Sequence, residues 1–363
     1  MSRKKRIQSP GKKRNRNKGR SPKKRNRNRA GVRRRGTGPE SGEEEEEKQN
    51  RRPGKCRKGK RRMMEKLSYK QAYRWGVERL REAEIDEAEL DARLLLEFVC
   101  GTDRNTLLAH AGREVTSEEK ESYVNLITAR KGHMPLQYLT GTQEFMGLNF
   151  YVNPDVLIPR QDTEILVEEV MRRLHDGMRI LDMCTGSGCI LLSLLYYSND
   201  CTGIGVDISE AALAAARRNA ESIGAKKKAE EGKELCASFL RGDLFDALER
   251  NAERIEKADD SLQFEMIVSN PPYIRRDVID TLMPEVREHE PLIALDGKED
   301  GLFFYREILK RAGNYLTRGG GLFMEIGYDQ GREVKELMEA AGFREVEVIQ
   351  DFAGLDRVVC GVW

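Results

Sequence analysis

Asn270-Pro271-Pro272-Tyr273 is the stretch of this sequence with the most evident chemical content. It follows the apolar run Phe264 to Ser269 and reads as a strand ending in a stiff loop, because two consecutive prolines cannot continue a hydrogen-bonded ladder. Such a loop fixes the carbonyls of Asn270 and Pro271 beside the Asn270 side-chain oxygen. These acceptors suit a planar nitrogen with two hydrogens, either a carboxamide or the exocyclic amine of a base, and Tyr273 offers a ring face to cover it. A nitrogen of this kind is a poor nucleophile because its lone pair is delocalised. Orientation towards an electrophilic methyl can supply up to about 7–11 kcal/mol. The fixed acceptors add to this by stabilising positive charge that develops on nitrogen only as the bond forms. Taken alone, the tetrapeptide fits equally well a proline-rich turn that closes a strand.

Three upstream features favour the chemical reading. Asp182-Met183-Cys184-Thr185-Gly186-Ser187-Gly188-Cys189 runs from a predicted strand into a helix, with glycines that let the backbone approach a ligand and let the helix pack closely on its strand. Asp207 ends the next predicted strand, near the ~20-residue separation at which an acidic side chain takes the hydroxyls of a ribose. Asp243 ends the strand after that and is placed to read an adenine edge. The loop lacks the spacing of GxGxxG, which disfavours a pyrophosphate cofactor; an adenosyl sulfonium has no phosphate and needs only close approach and the ribose acid.

The elements that would hold these residues alternate. Strands are predicted at Arg179 to Met183, Thr202 to Ile208, Ser238 to Gly242, Phe264 to Ser269 and Gly321 to Ile326, with helices starting near Ser187, Ser209, Leu302 and Asp329. This pattern predicts an α/β domain with a mostly parallel sheet and helices on both faces. Two final strands, Glu345 to Ile349 and Arg357 to Val362, have no helix between them and predict a terminal hairpin. Asp182, Asp207, Asp243 and Asn270 then all fall at or near carboxyl ends of strands, the side on which open α/β sheets bind ligands.

The chain divides into four predicted segments: a basic low-complexity tail over 1–62, a helical domain over 63–135, a β-hairpin linker over 136–156 and the α/β domain over 157–363. In the helical domain Ala72, Trp75, Leu80, Leu90, Leu94, Leu95, Leu96, Phe98 and Val99 recur at helical steps, and Thr116-Ser117-Glu118-Glu119 is a capping-box start for a helix to about Arg130. Phe145, Leu148, Phe150 and Val152 alternate around Met146-Gly147, the hairpin signal. Leu157 to Glu164 precedes a helix, with Asp162 or Thr163 as its N-cap or, alternatively, with Arg160 and Glu164 in a substrate-facing loop.

The formal net charge of +3 hides a split. Residues 1–62 hold 27 Lys and Arg against 6 Glu, a net of +21, whereas the remainder holds 37 basic and 55 acidic residues, a net of −18. The tail has almost no large aliphatic residue and predicts disorder. Its readings are non-specific contact with RNA or the ribosome, a solvated charge run, or a start assigned too far upstream of Met63-Met64. No apolar run approaches ~18 residues, so no membrane span is expected. Seven cysteines without CxxC spacing predict free thiols in a reducing cytoplasm, and four scattered histidines predict no metal centre.

These motifs together resemble class I S-adenosylmethionine-dependent methyltransferases, and within them the HemK/PrmC family of protein-(glutamine-N5) methyltransferases acting on peptide chain release factors. The resemblance covers Leu67 to Trp363. It rests on Pro135-Leu136-Gln137-Tyr138, Ile158-Pro159-Arg160 with Thr163-Glu164, Thr185 to Gly188, Val268 to Ile274, Glu290-Pro291, Glu325-Ile326-Gly327, and Asp351 with Asp356-Arg357. It implies a Rossmann-like domain of seven strands with a terminal hairpin behind a helical substrate-recognition domain, in a cytoplasmic monomer. It further implies S-adenosyl-L-methionine along Asp182, Cys184 to Gly188, Asp207, Asp243, Leu244 and Asn270. The substrate glutamine of a Gly-Gly-Gln loop would lie at Asn270 to Tyr273, with Arg160 and Glu164 nearby. Cys184 stands at a position where the family has glycine, Gln161 where it commonly has proline, and Leu244 where it is often aromatic. The competing reading is a nucleic-acid methyltransferase acting on an exocyclic amine of adenine or guanine, served by the same Asn-Pro-Pro-Tyr geometry. The net of −18 on the body and the absence of an inserted target-recognition domain argue against it.

Overall fold

The computed structural model describes residues 66–257 and 262–363; the basic tail over 1–62 lies outside the described residues. Two capping boxes fix helix starts in the amino-terminal part. Ser68 with Gln71 opens the helix Tyr69–Arg81, and Thr116 with Glu119 opens Ser117–Lys131, where the sequence pattern places a start. Between them, Ala88–Cys100 ends at Gly101 in the left-handed conformation. Ala72, Val77 and Leu80 bury against Ala92, Leu95, Leu96 and Ile127, and the Tyr123 hydroxyl donates to the Ala92 carbonyl at 2.9 Å. Leu90 and Phe98, counted in the apolar stripe by their spacing, lie outside this core at 39% and 52% exposure.

Strands β1 (Thr142–Phe145) and β2 (Leu148–Tyr151) form the expected hairpin. Its two-residue turn, Met146-Gly147, has positive φ at both positions, the geometry whose twist matches the flanking strands. Phe145, Leu148 and Phe150 are fully buried against the helices Asp162–Met171 and Cys189–Tyr197 of the α/β domain.

That domain contains β3 (Arg179–Met183), β4 (Thr202–Asp207), β5 (Cys236–Arg241), β6 (Phe264–Ser269), β7 (Leu316–Glu325), β8 (Arg344–Gln350) and β9 (Asp356–Val362). They lie in the order β5-β4-β3-β6-β7-β9-β8, parallel except for β9, which inserts antiparallel between β7 and β8. Side-chain alternation divides the core between the two faces of the sheet. Leu181, Met183, Ile267, Leu322 and Met324 pack on one side; Ile180, Met266, Val268 and Phe323 pack on the other. The fold class is as the alternation of elements predicts. Strand β7 begins earlier than its apolar run because Leu316 pairs with Phe264 before a register shift restores pairing at Gly321. Among the described residues no helix is long and apolar enough to cross a membrane.

One buried cation closes a helix end beneath the sheet. The helix Cys189–Tyr197 is almost wholly apolar and has no basic residue in its last turn, so its terminal carbonyls need outside donors. Lys227, only 2% exposed, supplies them from the helix Glu210–Glu231, donating to the carbonyls of Leu195 at 3.0 Å, Tyr196 at 2.6 Å and Ser198 at 2.8 Å. Lys227→Met keeps the stem and removes all three donors, and should lower unfolding stability by about 3 kcal/mol. A urea midpoint unchanged from wild type would show that these carbonyls find other partners.

Candidate active site

The sheet order reverses between β3 and β6, and the loops leaving β3, β4, β5 and β6 open into one cavity of about 370 Å³. The loop after β3 is held from beneath. Thr185 donates its N–H to the Val206 carbonyl at 3.0 Å and its hydroxyl to Asp182 Oδ2 at 2.6 Å. Asp182 is fully buried and does not line the cavity, so it positions the loop rather than forming the wall as the sequence suggests. Its Oδ1 has no hydrogen-bond partner among the described residues, and burial pushes the carboxyl up to about 7.

Asp207 lies across the cavity from the β6 loop and does face it. Its Oδ2 accepts the Gly186 N–H at 2.9 Å and its Oδ1 the Ser209 N–H at 2.9 Å, so the carboxylate is fixed while each oxygen keeps a lone pair. Burial raises its pKa, opposed by those two N–H donors. Gly186, Thr185, Ser187 and Cys184 share the wall. Gly188 does not: a Cβ there would lie 3.1 Å from Leu192 Cδ1 and 3.3 Å from Ala216 Cβ, so this glycine serves helix packing. Both non-glycine departures in the cavity adopt the conformation that glycine tolerates best. Cys184 has φ +59° and Leu244 φ +45°, and each lines the cavity, as does Asp243.

On the opposite wall, Asn270 donates Nδ2 to the Thr163 hydroxyl at 3.3 Å, which leaves Oδ1 as the acceptor of its amide. Among the described residues none donates a hydrogen bond to the Asn270 carbonyl. Pro272 also lines the cavity. The rest of the tetrapeptide departs from expectation. Pro271 is buried and off the wall, because the double-proline turn directs it inward, and so the wall acceptors are those of Asn270. Tyr273 does not cover the cavity either. Its hydroxyl donates to Glu325 Oε1 at 3.2 Å, its carbonyl accepts from Gln330 Nε2 at 3.1 Å, and its ring packs on the core. Gly297 permits that fit, since a Cβ there would approach the Tyr273 carbonyl carbon to 2.7 Å.

The loop before the helix Asp162–Met171 splits its predicted residues. Arg160 lines the cavity and pairs with the buried Glu290 carboxylate, whose pKa burial raises despite the guanidinium. Glu164 does not reach the cavity; its Oε1 accepts the Met146 N–H at 2.6 Å and anchors the β1–β2 turn. Neither Asp162 nor Thr163 caps the helix, whose N-cap is Gln161 without a side-chain bond. Thr163 instead is 2% exposed, touches Asn270 and lines the cavity. Sequence reasoning missed this role because a threonine at a helix start has an ordinary local explanation. It also missed Ile293 in the short helix Leu292–Leu295, Lys298 in the turn after it, and Phe303 and Phe304 at the start of the helix Phe303–Tyr315, all of which line the cavity.

Comparison with known proteins gives the family of the chain. A family model described as the PrmC N-terminal domain matches residues 71–141, and one described as a methyltransferase domain matches residues 174–340. The release factor glutamine methyltransferase of Clostridium botulinum is 40% identical over 282 residues, spanning 77% of this chain and 94% of its own. That of Geobacter sulfurreducens is 40% identical over 287 residues, 79% of this chain and 94% of its own. A crystal structure of a release factor-specific protein-(glutamine-N5) methyltransferase from Alicyclobacillus acidocaldarius is 32% identical, covering 59% of this chain and 98% of that one with a TM-score of 0.34. On the identity and coverage of these sequence relatives, the chain belongs to the release factor glutamine methyltransferase family.

Proposed function

We propose that this protein transfers a methyl group from S-adenosyl-L-methionine to the side-chain amide nitrogen, N5, of the glutamine in the Gly-Gly-Gln motif of peptide chain release factors in the cytoplasm. The observation that carries the reading is the amide of Asn270. Its nitrogen is committed to Thr163, its oxygen is left as an acceptor, and it lies on the wall of the cavity that Asp207 also lines.

The residues present fit the cofactor. Asp207, already oriented by two N–H donors, keeps lone pairs for the two hydroxyls of a ribose. Ile208 and Leu244 give apolar surface beside it for a base, and Asp243 an acceptor at the base edge. Leu244 contributes no aromatic face, so the base gains area burial there without stacking. When bound, S-adenosyl-L-methionine supplies an electrophilic methyl on a sulfonium sulfur.

The chain's own groups then act by position. Asn270 Oδ1 and the Asn270 carbonyl accept the two hydrogens of the substrate amide and turn its nitrogen towards the cofactor. As that nitrogen becomes positive, both acceptors bind it more strongly than they bind the neutral amide, which lowers the barrier selectively. Pro272 borders the same wall and, with Pro271, keeps the loop from relaxing away. No general base is required of the protein, because an alkylated amide nitrogen is acidic enough to release its proton to water. Arg160, held by Glu290, adds a positive edge to the cavity lining that would face the substrate backbone.

Four outcomes are expected. Asn270→Ala should slow methyl transfer by roughly 10²–10³-fold while the cofactor dissociation constant, measured by calorimetry with S-adenosylhomocysteine, stays within about twofold; parallel loss of both would assign Asn270 to cofactor binding instead. Asp207→Ala should do the reverse, weakening cofactor binding by about 10–100-fold through a lost charge-assisted contact; unchanged affinity would remove Asp207 from the ribose site. Radiolabelled methyl transfer offered in parallel to a purified release factor and to ribosomal RNA should label the protein alone, at the glutamine nitrogen, and a chain begun at Met64 should be as active as the full chain. Label in the RNA would favour the exocyclic-amine reading.

A further inference from the structure

Behind the Asn270 wall stands a buried carboxylate that the reaction as described does not use. Glu325 is the last residue of β7 and follows Met324, which pairs with Ser269, so it is level with the start of the Asn270 loop. It is 1% exposed. One oxygen accepts from the Tyr273 hydroxyl at 3.2 Å, and the other is buried with no hydrogen-bond partner among the described residues. The Thr163 hydroxyl adjoins the carboxylate and at the same time receives Asn270 Nδ2 at 3.3 Å. Other charges face the group. The Arg357 guanidinium, bound to Asp351 at 3.0 Å and to Asp162 at 3.1 Å, acts on it favourably, and Asp162 acts unfavourably.

Resting on the proposed transfer at Asn270, we infer that Glu325 is a positioning residue which sets the direction of the Asn270 amide through the hydroxyl of Thr163. A threonine hydroxyl has one hydrogen. With an ionised carboxylate beside it, that hydrogen is drawn to Glu325, and the hydroxyl oxygen can then only accept. Asn270 must present its NH2 to Thr163 and leave Oδ1 to the cavity, the orientation observed. If Glu325 is neutral or absent, the hydroxyl is free to donate to Asn270 Oδ1. The amide then turns over and offers the substrate two donors in place of an acceptor. A buried carboxylate is an expensive way to place an acceptor, since a glutamine of the same shape would bind Tyr273 equally well. Its charge is what fixes the Thr163 hydrogen.

The pH dependence has a definite sign. Burial pushes the Glu325 carboxyl up to about 7, against the lowering effects of Thr163, Arg357 and Tyr273. The ionised form, which holds the productive amide, is therefore lost as pH falls through about 7, and kcat should fall with it.

The test is steady-state kinetics on a release factor across pH 5.5 to 9, with cofactor affinity by calorimetry and thermal melts in parallel. Glu325→Gln and Thr163→Val should each lower kcat by roughly 10–100-fold at pH 8. Both should leave the cofactor dissociation constant within about twofold and flatten the pH dependence near 7. Thr163→Ser, which keeps the hydroxyl, should recover activity to within about threefold of wild type. The double variant should be no slower than the worse single one, as expected of residues in one relay. Cofactor affinity lost in step with kcat, an unrecovered Thr163→Ser variant, or an unchanged pH profile in Glu325→Gln would each overturn the inference. Failure of the wild-type protein to methylate a release factor would instead overturn the reading on which it rests.

Discussion

The site depends on the parallel pairing of β3 with β6, with Met183 opposite Ser269. Two strands distant in sequence thereby end at the same height. The loop that begins at Cys184 and the loop that begins at Asn270 leave the sheet side by side and diverge to either side of the switch point. The Ser269 hydroxyl extends the pairing by donating to the Met183 carbonyl at 2.8 Å, a buried bond at the last position before the two backbones part. Everything the cavity presents is set by where these two strands stop.

Below this junction the apolar core encloses two carboxyl groups. Asp182 and Glu325 are both buried, each with one oxygen lacking a hydrogen-bond partner among the described residues, and burial pushes both carboxyls up to about 7. A carboxyl whose folded pKa lies above its unfolded value favours the folded state while protonated. That contribution is present below the unfolded pKa and is lost as pH rises through about 7. At neutral pH these two groups therefore work against stability, and the apolar layers on both faces of the sheet, from Phe245 and Tyr305 on one side to Leu191 and Leu194 on the other, must outweigh them.

Much of this was legible in the sequence, for identifiable reasons. Strand ends are marked where an apolar run meets an acid, a glycine or a proline, and so Asp207 and Asn270 could be placed before any coordinates. The hairpin was legible from alternation, and the helix Ser117–Lys131 from its capping box. What a linear reading does not supply is the direction of a side chain. Tyr273 and Glu164 have suitable chemistry at suitable positions, yet one turns towards Glu325 and the other towards the hairpin, because each meets a partner far away in sequence. Thr163 was overlooked for the converse reason: a local role explained it, while its actual partner is 107 residues distant.

The first turn of the helix Asp162–Met171 joins three regions at consecutive residues. Asp162 reaches Arg357 on β9, Thr163 reaches Asn270 in the β6 loop, and Glu164 reaches the turn between β1 and β2. Successive helical residues point about 100° apart, so the spacing of these partners is tied to the rotation of a single turn. Inserting or deleting one residue between Pro159 and Asp162 would hand each of the three neighbours the wrong side chain at once. The length of that segment is therefore more tightly constrained by the structure than its composition.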